Sequence, residues 1–183
     1  MGKTRYIILI PHRDALKVLL EYRSKLFSAG IIGSHSFPPA ALLAEVSRPF
    51  SRNELQELGR KIRALTSSTK GKVISGGVYR AESRNLTIFG PPLELTIEEK
   101  TFPEKTLDTL LYVFNPPVLC AYIDYLENDN KVCLPSPAFE FRAACLANLL
   151  IRPLGGAEYS FEWKISLPLW LPSYSAACKF GKL

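Results

Sequence analysis

The sequence predicts an α+β fold in which two pseudo-symmetric lobes, each a mostly antiparallel sheet with outer helices, surround a central cleft. Three observations lead there: a β-α-β-α-β-β order in the first half, a hairpin within it, and a similarity between the two halves of the chain. The length and composition agree with a single domain. The chain has 183 residues, of which 47% are apolar, 11% aromatic and 22% charged. That is enough apolar surface for a core, and it excludes disordered, collagen-like and coiled-coil classes.

The elements follow in order. Thr4 to Ile10 is a β-branched and aromatic run stopped by Pro11, so it reads as a buried strand. A helix follows, capped by Asp14, carrying Leu16, Leu19, Leu20, Tyr22 or Arg23, and Leu26 with Phe27 at helical spacing and ended by Gly30. After the Pro38-Pro39 turn, Ala40 to Val46 is too short for a stable helix and reads as a central strand. Ser51 and Glu54 then form a capping box for a second helix with Leu55, Leu58, Ile62 and Leu65 on one stripe and Arg52, Arg60, Lys61 and Arg63 around it.

Lys72 to Tyr79 and Asn85 to Phe89 make a hairpin, with Leu93 to Ile97 a further strand. Thr106 to Phe114 fits either helix or strand, and Asn115-Pro116-Pro117 breaks the chain before a strand over Val118 to Ile123. Asp124 to Asn130 is a polar connection. Phe139 to Ile151 is a long apolar run, Gly155-Gly156 a turn, and Tyr159 to Leu169 an alternating strand with Phe161, Trp163, Ile165 and Leu167 on one face, ended by Pro168 and Pro172.

The similarity between the halves joins Ala40-Ala41-Leu42-Leu43-Ala44-Glu45 to Ala143-Ala144-Cys145-Leu146-Ala147-Asn148. Each copy leads to an Arg-Pro pair, Arg48-Pro49 and Arg152-Pro153. Two related units, with motif strands near 37–49 and 140–153, would pack about a pseudo-dyad and place those strands at a shared cleft.

Charge is unevenly divided. Residues 1–90 hold 15 Lys/Arg against 6 Asp/Glu and residues 91–183 hold 8 against 11, so the net +6 is a basic first half joined to a mildly acidic second. A polyanion partner fits that basic half, as does an ordinary solvated surface. Cys120, Cys133, Cys145 and Cys178 lack CxxC spacing, and only His12 and His35 could join them, so no metal and no cofactor is expected. No apolar run reaches the roughly 18 residues of a membrane span, and no secretory h-region is present, so the expectation is a cytoplasmic protein with reduced thiols.

The chain resembles the 2H phosphoesterase superfamily, which includes bacterial 2',3'-cyclic phosphodiesterases and 2',5'-RNA ligase-like proteins. Tyr6-Ile7-Ile8-Leu9-Ile10-Pro11 is similar to that family's opening strand, and Ala41-Leu42-Leu43-Ala44-Glu45-Val46 with Asn53-Glu54-Leu55 to its motif strand and second helix. The resemblance covers Arg5 to Phe89 and extends to the second half through the internal repeat. It implies two His-x-Thr/Ser motifs whose imidazoles serve as general base and general acid on a phosphodiester. Aligned through the repeat, the motif positions fall on Phe37 and Pro39 in one lobe and on Glu140 and Arg142 in the other, so both motifs are degenerate.

The leading expectation is therefore a 2H-like protein without the two-histidine machinery, binding a phosphate-bearing ligand such as a nucleotide or RNA end. Arg142 would make the main anion contact, with Arg48 and Arg152 at the rim and Phe37 able to stack on a base. One alternative is a divergent cyclic phosphodiesterase using His35 with Glu140 as acid and base. Another is a protein-interaction or structural module whose cleft is filled by Phe37, Phe139 and other apolar groups. No P-loop, G-x-G-x-x-G or G-x-S-x-G motif is present, so ATP use and a serine-hydrolase mechanism are not indicated.

Overall fold

The computed structural model describes residues 3–58, 70–73, 79–82, 87–96, 111–122, 134, 138–155 and 158–168. Within them the chain is α+β, and every strand pairing is antiparallel. The strands are β1 (Lys3–Pro11), β2 (Ala41–Val46), β3 (Lys70–Val73), β4 (Tyr79–Glu82), β5 (Thr87–Gly90), β6 (Leu93–Thr96), β7 (Leu111–Leu119), β8 (Ala138–Gly155) and β9 (Glu158–Pro168). Helix α1 is Arg13–Ser28, and a second helix, α2, covers 52–58. The main sheet has seven strands in the order β6-β3-β8-β1-β2-β7, with β9 added to β8, and β4 pairs with β5 separately.

β1 is central because its side chains are apolar on both faces, as a strand buried between two layers must be. Ile7 and Leu9 meet Leu19, Tyr22 and Leu26 of α1, while Tyr6, Ile8 and Ile10 join Phe37, Phe114, Ala143 and Cys145 on the other face. The β4–β5 hairpin contributes Ala81 and Ile88 to that second layer. Gly90 ends β5 against β7, where an added Cβ would lie 2.7 Å from both the Leu119 carbonyl and Val118 Cγ1.

Helix α1 ends as the sequence predicts, with Gly30 at φ 90°. Its start differs. His12 is the N-cap residue and makes no side-chain capping bond; Asp14 lies in the first turn, where it meets the positive end of the helix dipole. The α2 capping box forms as expected, Ser51 N donating to Glu54 Oε2 at 2.7 Å and Glu54 N to Ser51 Oγ at 3.3 Å. Ile62, Leu65, Arg60, Lys61 and Arg63 lie outside the described residues.

Two expectations about strands change. The run from Lys72 to Tyr79 is not one hairpin arm: β3 joins the main sheet between β6 and β8, while Tyr79 begins β4. Residues 74–78 lie outside the described residues, as does Asn85 of the other arm. The Asn115-Pro116-Pro117 step does not end a strand but lies within β7. A prolyl ring has no N–H for the ladder, and the register there shifts from Ala44↔Val113 to Leu42↔Val118. Thr106 to Leu110, Ile123 and the polar connection at Asp124 to Asn130 are likewise outside the described residues. The long apolar run is part of a strand of 18 residues, β8, buried on both faces from Ala143 to Leu149.

β2 and the 143–153 part of β8 do not pair with each other, because β1 lies between them and pairs with both. The two Arg-Pro pairs also differ in setting, Arg48-Pro49 following the end of the 6-residue β2 and Arg152-Pro153 lying within the 18-residue β8.

Candidate anion-binding site

β8 has two neighbours along one edge, β3 opposite Ala138 to Glu140 and β9 opposite Cys145 to Gly155. Arg142 falls between those two paired segments. Its side chain is half-buried, and its Nε is enclosed with no hydrogen-bond partner among the described residues. Nearby, burial pushes the Cys145 thiol up to about 11, with the Arg142 charge opposing that rise. A guanidinium partly removed from water with an open donor is suited to an oxyanion, whose two oxygens match its planar fork.

The other two arginines are committed elsewhere. Arg48 grips Glu54 with both terminal nitrogens, at 2.8 and 3.3 Å. With the Ser51 bonds this holds the Glu54 carboxyl down at about 2, the Arg48 hydrogen bond being the largest cause. Arg152 pairs with Glu162 on the neighbouring strand at 3.0 Å. Both pairs are surface ion pairs. Arg152 lies ten residues beyond Arg142 on the same strand, on the order of 30 Å at about 3.3 Å per residue. The structure therefore does not bring Arg142 and Arg152 to one phosphate.

Phe37 is 1% exposed. It packs edge-on against Tyr6 at 5.7 Å and against Trp163 at 5.1 Å, and Tyr6 in turn stacks on Phe114 at 6.4 Å. Trp163 Nε1 donates to the Ser36 carbonyl and fixes the segment that carries Phe37. The expected base-stacking residue is thus a core aromatic, because one side chain in a fully apolar layer gains more from burial than from facing water. Phe139 is buried also, in the layer that packs on α1.

His35 and Glu140 lie toward opposite ends of α1. His35 closes a 3-10 turn, Ile32–His35, and its ring meets Phe27 near the helix C-terminus at 5.3 Å. Glu140 lies beside the helix N-terminus, its carbonyl accepting His12 N–H at 2.7 Å. Positions 14 and 27 are separated by about 20 Å along a helix rising 1.5 Å per residue, well beyond hydrogen-bond reach of one substrate. Burial and the Arg23 charge both lower the His35 pKa from its usual value.

In place of that pair the structure brings His12 and Glu140 together. They line a 260 Å³ pocket with Asp14, Val18 and Phe139, and His12 Nδ1 is 3.9 Å from Asp14 Oδ2. The signal in the sequence was the β1–α1 junction itself: a residue just after a central strand lies beside the end of its neighbour. Tyr22 and Arg23, expected as alternatives on the apolar stripe of α1, are both buried there; Arg23 was not among the expected site residues, although a guanidinium on that stripe was the signal that could have found it.

Among the described residues no group of three His, Cys, Asp or Glu side chains is placed to hold a metal ion. No described helix is long and apolar enough to cross a membrane. No protein-family model, curated protein or solved structure matches the chain.

Proposed function

We propose that this is a 2H phosphoesterase-like protein that binds a phosphate-bearing ligand, a nucleotide or an RNA end, without the two-histidine chemistry. The observation that carries the reading is Arg142, a half-buried guanidinium whose enclosed Nε has no partner among the described residues. Desolvation makes such a donor costly to leave open and strengthens any bond that an arriving anion forms with it.

The two-lobed architecture, with motif strands near 37–49 and 140–153, belongs to the same proposal; β2 and the 143–148 part of β8 flank β1 and both pair with it antiparallel. The motif positions hold Phe37 and Pro39 in one copy and Glu140 and Arg142 in the other, so neither copy supplies the imidazole that the family's acid–base chemistry needs, which favours binding over turnover.

The test is incubation with 2',3'-cyclic nucleotides and 5'-nucleotides. The proposal expects saturable binding without turnover, weakened about tenfold or more in Arg142→Ala, as befits one charge-assisted contact. Binding unchanged by Arg142→Ala, or absent altogether, contradicts it. The pocket shared by His12 and Glu140 favours one other reading, proton transfer by that pair. Turnover of a cyclic nucleotide that disappears in His12→Ala would establish that reading instead.

A further inference from the structure

Arg23 lies on the inward face of α1 and is 1% exposed. Its Nε donates to the Ser34 carbonyl at 3.1 Å, but its Nη2 is enclosed without a hydrogen-bond partner. Among the described residues no carboxylate forms an ion pair with it. Cys120 is the titratable group set against it, and burial pushes that thiol up to about 12, so it stays neutral at neutral pH and supplies no counter-charge. A guanidinium does not shed its proton in compensation. The result is a cation held away from water with a donor left over, an arrangement that is costly unless an anion completes it.

The chain beside Arg23 supplies further donors. Ser34 is buried and His35 exposed, so the 3-10 turn passes from the Arg23 contact to the surface within one residue. Ser34 Oγ lies 3.1 Å from His35 Nδ1, and the ring rests edge-on against Phe27. We propose that Arg23, Ser34 and His35 form a binding site for a phosphate-class oxyanion, with Arg23 Nη2 as the charged donor and the His35 side chain as the outer wall. The free Arg23 Nη2 hydrogens, with the donor left to the Ser34–His35 pair after their mutual bond, bring N–H and O–H groups from α1 and from the 3-10 turn to one place, which suits the multiple oxygens of phosphate better than a halide. Entry needs rotation of an exposed side chain, a fast motion. The site involves no part of Arg142 and does not rest on the function proposed above.

The experiment is a side-chain NMR titration of the full chain, following the Arg23 Nε–H and the His35 ring. Inorganic phosphate and a 5'-nucleoside monophosphate are the two probes, each against sodium chloride at equal ionic strength. The expected result is a saturable shift of both signals with phosphate and not with chloride, together with a rise in the His35 midpoint, since a seated anion offsets the Arg23 charge that depresses it. Saturation by phosphate alone assigns the free ion, and saturation by both probes assigns a phosphomonoester end. Arg23→Met should weaken the effect at least about tenfold, and Ser34→Ala should weaken it several-fold should the first variant fail to fold. Arg142→Ala should leave it intact. Equal shifts with chloride, no saturable shift in the wild type, or an undiminished effect in folded Arg23→Met or in Ser34→Ala would overturn the proposal.

Discussion

Glu54 illustrates how single residues here are tuned by immediate neighbours. Its side chain is only half-buried, yet Arg48 and Ser51 hold its carboxyl at about 2. A folded pKa below the unfolded one contributes stability that is complete above about 4.5 and is lost as pH falls toward about 2. Arg48→Met should move the Glu54 midpoint, read by carboxyl NMR, most of the way to its ordinary value; an unmoved midpoint would mean that Ser51 suffices. Cys120 and Cys145 carry the opposite sign. Burial raises them to about 12 and 11, so their contribution is intact below about 9 and is lost as pH climbs through those values. In native protein at pH 8 both should react with a thiol reagent far more slowly than in denaturant. Phe37 belongs to this scale too. Phe37→Ala should cost about 3–5 kcal/mol in denaturant unfolding and leave nucleotide affinity unchanged in the folded fraction, where the sequence alone suggested a stacking contact.

Among the elements, β1, α1, β2 and the start of α2 were legible because each carries a local signal: a β-branched run, a helical stripe ended by Gly30, a short apolar segment, a reciprocal cap. The extent of β8 was not, because a strand buried on both faces loses the alternation that distinguishes strand from helix. β3 was assigned to the wrong partner for a related reason. Gly71 and Lys72 carry no pairing preference, and the pairing of β3 with β8 is set by register with Phe139 and Glu140, far away in sequence. The site was legible in part. Arg142 was found on its strand, whereas Arg48 and Arg152 were expected at a ligand and are taken by Glu54 and Glu162. His35 and Glu140 were paired by chemistry alone, with α1 left out of account as the spacer between them. The packing of the β4–β5 hairpin on β7 depends on Gly90, where no side chain fits beneath the Leu119 carbonyl. Gly90→Ala should destabilise the protein by about 1–3 kcal/mol, seen as a lower urea midpoint; an unchanged midpoint would show that the hairpin moves away without cost.

For the whole molecule the organising feature is one sheet built outward from β1, with a helix on one face and an aromatic layer on the other. The aromatic layer is closed by Tyr6, Phe37 and Phe114, so the proposed anion contacts fall outside it, at Arg142 Nε and Arg23 Nη2, which have no hydrogen-bond partner among the described residues. The basic first half, with 15 Lys/Arg against 6 Asp/Glu, would add to such a contact a long-range field that attracts a polyanion without selecting it. Long-range attraction and a specific contact separate by their salt dependence. The decisive measurement is the slope of log affinity against log salt for a 5'-phosphorylated oligoribonucleotide, in wild type and in Arg142→Ala. If Arg142 binds phosphate, the variant should bind more weakly and lose about one unit of slope. Equal affinities and equal slopes for the two proteins would contradict the account.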